Sequence, residues 1–423
     1  MSNAQSQRPL SEIILDMVEL HSGWTDMHVE SGQNLMLRKG VNEWEDGLDQ
    51  NGSTILITRP MIVAFLNGIY DAEESPLLVR ETREVTPSWH EKFRAENSLH
   101  PAQFLSRGGN TPDSPLVIAR IRCSVQRQQM GESMAIVIRH LHDVPKNTAE
   151  LGLPPQVRKM ATAPAGLILI TGPTGSGKST TIAAIVNEIN ESRRANIVTI
   201  EDPIEFVHER KKSIINQREI GIDVESYAAG VRDALRFVPD VIVLGEIRDA
   251  ETAVAALRAG ESGHLVLATM HAPTCFAAIR SMLTFIAGST DGLALSNALV
   301  GVVAQALVRS QAEGKHKHLA YEVLHCVDPK VRDAISNRSL DVVESALAAN
   351  TLSAESISMF SVLQRMVKDG LVAPRIAATA AHDATARLEL MRMESIKPPM
   401  NEAKKGAFDG TSTMVFFAGS KKV

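Results

Sequence analysis

Short, continuous apolar runs alternate with amphipathic stretches across the middle of the chain. Runs such as "GLILITG", "ANIVTIED", "DVIVLGE" and "HLVLATMH" are separated by stretches with apolar positions at helical spacing, such as "STTIAAIVNEINES" and "AETAVAALRAG". Strands that are buried on both faces are apolar throughout, and the helices between them cover those faces. From about residue 158 onward the pattern therefore predicts an α/β domain built on a parallel sheet.

The residues before about 144 show shorter and more mixed patterns. A helical stretch, "LSEIILDMVELH", precedes the strand-like pieces "QNLMLRKG" and "STILITRP", and two longer strands, "LVIARIRCSV" and "MAIVIRHLH", flank the turn "QRQQMGES". Residues 71–116 are polar, end in "SRGGNTPDSP" and predict a surface loop. The prolines of "DVPKNTAELGLPPQ" predict a linker to the next domain.

The pattern changes again toward the end of the chain. The most apolar long run, residues 293–308, is too short and too polar to span a bilayer, and we predict a buried helix there. A hairpin is predicted for "ALVRSQAEGKHKHLAYEVLHC", and helices follow it. Gly370 predicts the end of one helix and Pro374 the start of the next. Apolar side chains share one face of the earlier helix: Phe360, Leu363, Met366 and Val367.

Composition narrows the class of protein. A chain of 423 residues with 44% hydrophobic and 22% charged residues predicts a globular protein of two or three domains. A net charge of −5 and an aromatic content of 4% argue against a dedicated nucleic-acid binder. Three widely spaced cysteines form no CxxC pair, so we expect reduced thiols without a disulfide framework or a zinc ribbon. The first twenty residues show no secretory signal.

One glycine-rich segment carries a strong signal for phosphate binding. Residues 172–179 match G-x-x-x-x-G-K-[ST] and lie between a predicted strand and a predicted helix, as the motif requires. The glycines let backbone N–H groups turn toward phosphate oxygens, Lys178 reaches the β and γ phosphates, and Ser179 binds Mg²⁺. The predicted nucleotide-binding residues are Gly172, Pro173, Thr174, Gly175, Ser176, Gly177, Lys178, Ser179 and Thr180.

Carboxylates follow two of the predicted strands. "VTIEDPIEFVHE" places Glu201, Asp202 and Glu205 at one strand end, and Glu246 follows the strand of "DVIVLGE". An isolated acidic turn is usually only solvated, but these would face a magnesium nucleotide held by the glycine-rich loop. One carboxylate is needed near the metal and another to polarise water. A simple ion pair between Glu246 and Arg248 is the alternative.

Histidines and arginines add further candidates. His264 and His271 flank the strand in "GHLVLATMH". A structural role fits His264 as well as a functional one does. His271 lies at a strand end, where it could sense the γ-phosphate or water. The pairs in "RHLH" and "HKH" lack partners for a metal site and fit solvated strand faces. Arg122 and Arg139 lie on paired predicted strands. Their side chains either cover an exposed face of the sheet or extend toward a nucleotide in a neighbouring domain or subunit.

Taken together, the motifs resemble those of the secretion ATPase superfamily, the ring motors of type II and type IV secretion and of type IV pili. The Walker A "GPTGSGKST", the Asp box "TIEDPIEF", the Walker B "DVIVLGEIRD" and the His box "GHLVLATMH" occur in the family order, within a resemblance over residues 117–395. The resemblance implies a homo-hexamer of RecA-like P-loop domains, each with a PAS-like α+β N-terminal domain. The domains it predicts are 1–143 (PAS-like), 144–157 (linker), 158–330 (RecA-like ATPase), 331–395 (C-terminal helices) and 396–423 (mobile tail).

The resemblance also implies roles for individual residues. Glu205 matches the catalytic base, and Glu246 matches the Walker B carboxylate, which would hold Mg²⁺ together with Ser179. Arg122 and Arg139 match the arginines of the N-terminal domain that reach the γ-phosphate, and His271 belongs to the His box. The expected ligands are therefore ATP and Mg²⁺.

Two branches of the superfamily fit the sequence. The chain lacks the paired CxxC module of assembly-type members, so it is similar to the pilus-retraction (PilT-like) and type IVB secretion or conjugation (DotB-like) branches. "DPKVRDAISNRSL" departs from the motif of retraction motors, and on that ground we favour the DotB-like role. We expect a cytoplasmic motor peripheral to the inner membrane that acts on membrane platform proteins and has no transmembrane segment. A nucleic-acid translocase and a nucleotide-gated scaffold are weaker alternatives.

Overall fold

A computed structural model describes residues 8–21, 24, 26–40, 43–70, 98–99, 102–107, 117–128, 133–141, 147–287, 292–312 and 317–393. They form two compact units, one before position 143 and one after it. The finer domain boundaries given above remain predictions. The predicted mobile tail at 396–423 lies outside the described residues.

The first unit is an antiparallel sheet covered by helices. Its strands are β1 (Asp26–Glu30), β2 (Met36–Gly40), β3 (Glu43–Asp46), β4 (Ser98–Leu99), β5 (Ala102–Arg107), β6 (Val117–Gln128) and β7 (Ser133–Leu141), in the order β3-β2-β1-β7-β6-β4 with β5 also paired to β6. The helices are α1 (Leu10–Leu20) and α2 (Arg59–Tyr70). Alternate strand residues such as Met27, Ile121 and Ile138 are buried in a core with both helices, as the two-residue period of a strand requires.

Several predictions for this unit can be compared with the structure. The helix at 10–20 and the strand within "QNLMLRKG" are confirmed. "STILITRP" is not a strand, because only Thr54 and Leu56 make isolated bridges and a helix, which we did not predict, begins at Arg59. Pro60 fits that helix because the first turn needs no intrahelical N–H donor. The predicted loop at 71–116 contains β4 and β5; its remainder lies outside the described residues, and the PAS-like class stays a prediction.

The second unit is built on a largely parallel sheet, which confirms the predicted α/β class. Its strands are β8 (Gly166–Thr171), β9 (Asn196–Glu201), β10 (Ile214–Glu219), β11 (Val241–Leu244), β12 (Leu265–Met270), β13 (Leu299–Arg309) and β14 (Lys317–His325). The order is β10-β9-β11-β12-β8-β13-β14, and all neighbours are parallel except β13 and β14. The sheet therefore aligns the carboxyl ends of six strands.

Helices cover both faces of this sheet. Leu167 and Leu169 pack into one core cluster, and Ile168 and Ile170 pack into the cluster on the opposite face. This explains why the strands are apolar at every position. The helices are α3 (Pro155–Met160), α4 (Lys178–Ser192), α5 (Tyr227–Ala234), α6 (Ala250–Glu261), α7 (Cys275–Phe285), α8 (Gly292–Ala298), α9 (Pro329–Ser336), α10 (Leu340–Ala348), α11 (Met359–Lys368), α12 (Pro374–Ala380) and α13 (Ala384–Arg392).

The buried helix predicted for residues 293–308 is wrong over most of its length. Helix α8 ends at Ala298, and residues 299–309 are strand β13, which lies between β8 and β14. An apolar run that is buried on all sides does not distinguish helix from strand, and the β-branched residues Val300, Val302 and Val303 favour the strand. The predicted hairpin, helix end at Gly370 and helix start at Pro374 are confirmed. Among the described residues, no helix is long and apolar enough to cross a membrane.

Candidate nucleotide site

The predicted chemistry of the second unit lies at one edge of its sheet. The glycine-rich loop follows β8, the segment 201–205 ends β9, Glu246 follows β11, and His271 follows β12. These strands are neighbours in the order β9-β11-β12-β8, and all run parallel. Their carboxyl ends therefore bring together motifs that are up to about a hundred residues apart in sequence.

The loop between β8 and α4 has a backbone that requires glycine. Gly172, Gly175 and Gly177 have φ angles of +146°, +75° and +88°. A Cβ atom at Gly172 would overlap the backbone oxygen of Gln305 and lie 2.6 Å from Ser176 Oγ, whereas a Cβ at Gly175 would meet no atom within 4 Å. The loop is therefore held tightly against β13 at its first glycine and is open at the second.

Lys178 is oriented by the loop that it follows. Its Nζ donates hydrogen bonds to the backbone oxygens of Gly172 (3.0 Å) and Pro173 (3.2 Å), and the residue is only 8% exposed. Burial lowers the pKa of Lys178 from its ordinary value, and the nearby charges of Glu246 and Glu205 partly offset that effect. A buried ammonium group thus lies at the loop, within the electrostatic influence of both predicted catalytic carboxylates.

The loop also offers polar groups that fit a phosphate. The Oγ of Ser176 is buried and has no hydrogen-bond partner among the described atoms. Helix α4 begins after Gly177, which provides no side chain to cap the first N–H groups. Free N–H groups at a helix N-terminus, next to a lysine, form an anion site. Ser179 is exposed and Thr180 partly exposed at the first turn of this helix.

Glu246 is the central carboxylate of the edge. It is 9% exposed, accepts a hydrogen bond of 2.6 Å from Nε of Arg248, and lies 3.1 Å from Nε2 of His271 through its other oxygen. Arg248 also lies 3.9 Å from Asp202 and so joins the ends of β11 and β9. The ion pair with Arg248, considered above as an alternative, therefore exists, but it occupies one oxygen of a carboxylate whose other oxygen lies against His271.

The acidic segment after β9 is ordered by its own hydrogen bonds. The Glu201 carboxylate accepts from Thr199 Oγ1 (2.6 Å), Gln217 Nε2 (3.2 Å) and the backbone N–H of Glu205. Burial raises the pKa of Glu201, and these hydrogen bonds oppose the rise. Glu201 thus uses its carboxylate to shape the turn, whereas Glu205 contributes its backbone N–H to these hydrogen bonds. That division separates the structural carboxylate from the candidate base.

Two buried side chains that the sequence patterns did not single out support the loop. Gln305, on β13, donates from Nε2 to the backbone oxygen of Ser176 (2.7 Å) and accepts from Thr181 Oγ1 (3.0 Å). Thr171 donates to the backbone oxygen of Ala272 and accepts from its N–H, which fixes the chain next to His271. In the sequence, each of these residues is only a lone polar residue in an apolar strand. That pattern does not identify its hydrogen-bond partner.

The predicted arginines belong to the first unit, which is described by itself. Arg122 and Arg139 are direct cross-strand partners on β6 and β7. Nε of Arg139 donates to Asp26 Oδ1 at 2.9 Å, and this aspartate is almost fully buried, whereas Arg139 is exposed. The side chain of Arg122 lies outside the described atoms. A role of either arginine toward a nucleotide stays a prediction.

Neither His264 nor the three cysteines contribute to this edge. Nδ1 of His264 lies 3.1 Å from both the Ala259 backbone oxygen and Ser262 Oγ, which closes the end of α6 and fits a structural role. The side chains of His140, His142 and His316 lie outside the described residues. All three cysteines are free and buried.

The side chains at this edge offer few ligands for a Mg²⁺ ion. Within the described residues, no three acidic, histidine or cysteine side chains form a metal-binding group. Mg²⁺ in nucleotide sites takes most of its ligands from phosphates and water and only one or two from the protein. The hydroxyl of Ser179 and the carboxylate of Glu246 fit that requirement, and they are the residues that would hold the ion.

Comparison with known proteins identifies the family of this chain. The sequence profile of the family described as "Type II/IV secretion system protein" matches residues 116–395. The chain belongs to this family. A twitching motility protein of Neisseria gonorrhoeae is 40% identical over 270 residues, which cover 63% of this chain and 71% of the relative.

Solved structures of this family share the fold. The pilus retraction motor PilT with bound ADP matches at a TM-score of 0.72 and 31% identity, over 92% of this chain and all of that one. The Legionella pneumophila ATPase DotB matches at a TM-score of 0.67 over 90% of this chain and 97% of its own, but at 21% identity it supports the fold alone. The predicted family is therefore confirmed, and as a member of this family of secretion and pilus motors the chain is an ATPase.

Proposed function

We propose that the chain is an ATP-hydrolysing motor subunit that works as a homo-hexamer on a pilus or secretion machine at the cytoplasmic face of the inner membrane. The observation that carries this proposal is the common sheet edge. It combines a glycine-rich loop, a buried lysine, two carboxylates on neighbouring strands and a histidine in contact with one of them. This is the set of groups that phosphoryl transfer to water requires.

Each group has a distinct task in the proposed reaction. The backbone N–H groups of residues 174–178 and the ammonium of Lys178 would bind the β and γ phosphates of ATP. Glu205 would take the proton of the attacking water, since its side chain is accessible and lies close enough to Lys178 to affect its pKa. Mg²⁺, held by Ser179 and Glu246, would neutralise charge on the phosphate oxygens. His271, which contacts Glu246, would respond to changes in the contacts of that carboxylate.

The arginines would complete the site. The cationic groups of Arg122 and Arg139 would stabilise the charge that develops on the γ-phosphate, a contribution that can reach ~10³-fold or more in rate. Because they stand on a separate unit, hydrolysis would depend on how the first unit meets a nucleotide-loaded second unit. A cycle of binding and release would then move one unit against the other and act on a membrane platform protein.

For the biological role, the comparisons favour pilus retraction over our sequence-based preference for type IVB secretion. Pilus retraction is favoured by a relative of 40% identity that is described as a twitching motility protein. It is also favoured by the 31% identity to PilT, against 21% to DotB. The secretion role remains the second candidate because "DPKVRDAISNRSL", at residues 328–340, departs from the motif of retraction motors. A nucleic-acid translocase is the third.

Steady-state hydrolysis by matched variants tests the proposed chemistry. We expect Glu205→Ala to lower Mg²⁺-dependent ATP turnover by at least ~10²-fold, the usual worth of a general base. Glu209→Ala removes an exposed glutamate four residues further along and is expected to stay within about twofold of the wild type. Equal turnover in all three proteins would rule out Glu205 as the base. Stimulation by single-stranded DNA would favour the translocase instead.

Deletion of the gene in its own host separates the two machines. A retraction motor predicts cells that keep surface pili but lose twitching, with transfer of proteins or DNA unaffected. A secretion motor predicts the reverse. If neither activity changes in the deletion strain, the proposed role in these machines is wrong.

A further inference from the structure

The phosphate loop rests on a side chain that the known motifs do not contain. Strand β13 pairs with β8 in parallel, and Ala304 lies opposite Thr171, the last residue of β8. The next residue of β13, Gln305, therefore lies beside the first glycine of the loop. It is 1% exposed, in a strand whose neighbouring residues are small or apolar.

Gln305 meets the loop at several points. Its Nε2 donates a 2.7 Å hydrogen bond to the backbone oxygen of Ser176, and its Oε1 accepts a 3.0 Å hydrogen bond from Thr181 Oγ1 on α4. Its own backbone oxygen occupies the space where Gly172 would carry a Cβ atom, and its Nε2 lies 3.3 Å from the Cβ position of Gly177. One buried amide thus joins β13, the loop and the first turn of the helix.

The hydrogen bond from Gln305 to Ser176 orients the Ser176 carbonyl group and, with it, the N–H group of Gly177. A trans peptide unit is planar, so its C=O and N–H bonds point in opposite directions. When Gln305 draws the Ser176 oxygen toward β13, the N–H of Gly177 must point away from β13. That N–H belongs to the run of donors between Lys178 and the open side of the loop, where a phosphate would bind.

We propose that Gln305 is a positioning residue for nucleotide binding: it holds the Ser176–Gly177 peptide so that the Gly177 N–H is aimed at a phosphate oxygen before the ligand arrives. This inference rests on the proposed nucleotide site. It predicts that the contribution of Gln305 appears in affinity for phosphate-bearing ligands and not only in the stability of the fold. Thr181 assists because its hydroxyl donates to Oε1 and leaves Nε2 directed at Ser176.

Binding of ADP to the full chain, measured by isothermal titration calorimetry, tests the proposal. Gln305→Met keeps the size of the side chain and removes both hydrogen bonds, and we expect its ADP dissociation constant to rise about tenfold. Thr181→Val is expected to show a smaller rise, and Thr181→Ser, which keeps the hydroxyl, should bind ADP like the wild type. If Gln305→Met fails to fold, the comparison of Thr181→Val with Thr181→Ser tests the proposal instead.

Asn190→Leu is the matched control for stability. Asn190 is a fully buried amide at the other end of α4, about 18 Å from Lys178 at 1.5 Å per residue, and it bonds to Glu209 O, Lys211 N and Ser213 N. Its replacement should lower the midpoint of thermal unfolding but leave ADP affinity within about twofold. Amide hydrogen exchange in the ADP-bound protein should accelerate over residues 172–181 in Gln305→Met but not in Asn190→Leu.

The outcomes separate the inference from the site on which it rests. If Lys178→Ala loses ADP affinity while Gln305→Met and Thr181→Val bind normally, Gln305 is only a packing residue and the inference is wrong. If Asn190→Leu loses affinity as much as Gln305→Met, the effect is general loosening and the inference is again wrong. If Lys178→Ala binds ADP like the wild type, the proposed nucleotide site itself is wrong.

Discussion

Alanine substitutions at the two loop glycines Gly172 and Gly175 test the geometry of the phosphate loop. Both residues have positive φ, so an alanine at either position is strained, at a cost of about 1–3 kcal/mol. Only at Gly172 does the new Cβ meet other atoms: it would overlap the backbone oxygen of Gln305 and approach Ser176 Oγ to 2.6 Å. At Gly175 no atom lies within 4 Å.

The extra cost at Gly172 follows from what the Cβ meets. The Gln305 oxygen belongs to the backbone of β13, which cannot shift without disturbing its pairing with β8. Forcing an added carbon into such a packed position typically costs about 1–3 kcal/mol beyond the backbone strain. The difference between the two variants should therefore be about 1–3 kcal/mol, or about 2–12 °C in the unfolding midpoint for a unit of this size.

Thermal unfolding without nucleotide, followed by circular dichroism, measures this difference. We expect Gly172→Ala to unfold at a clearly lower temperature than Gly175→Ala, with both below the wild type. Equal midpoints for the two variants would refute the close contact between the loop and β13. That result would also remove the structural basis for the role of Gln305.

Two further predictions concern charged groups. Burial lowers the pKa of Lys178 below its ordinary value, so the folded chain releases this proton at lower pH than the unfolded chain. The thermal midpoint of the wild type relative to Lys178→Met should therefore rise as the pH increases toward about 10. A flat or falling difference would contradict the burial of Lys178. Asp26→Asn removes the charged partner of Arg139. It should lower ATP turnover about tenfold without a change in ADP affinity. Unchanged turnover would mean that Asp26 does not position a catalytic arginine.

The sequence predicted the second unit well because two simple rules applied. Apolar runs separated by amphipathic helices are typical of a parallel sheet, and parallel strands end at a common edge. The loop at 172–179, Glu246 and His271 each directly follow such a run, so their convergence could be expected before any coordinates were known.

The sequence predicted less where partners are remote or patterns ambiguous. Gln305 bonds to a residue 129 positions away, and nothing in its local sequence identifies that residue. Strand β13 was predicted as a helix because burial on all sides removes the periodicity that separates the two. Helix α2 was missed because "STILITRP" has strand composition up to the residue where the helix begins.

The most direct test of the central claim is the ATP turnover per protomer across a range of protein concentrations. We expect turnover to rise with concentration and reach a plateau, because the proposed site is completed only in the assembly. We also expect Arg139→Ala to lower the plateau without lowering ADP affinity. Turnover that is independent of concentration and of Arg139 would contradict assembly-dependent hydrolysis, since the edge around Lys178 and Glu246 would then hydrolyse ATP by itself.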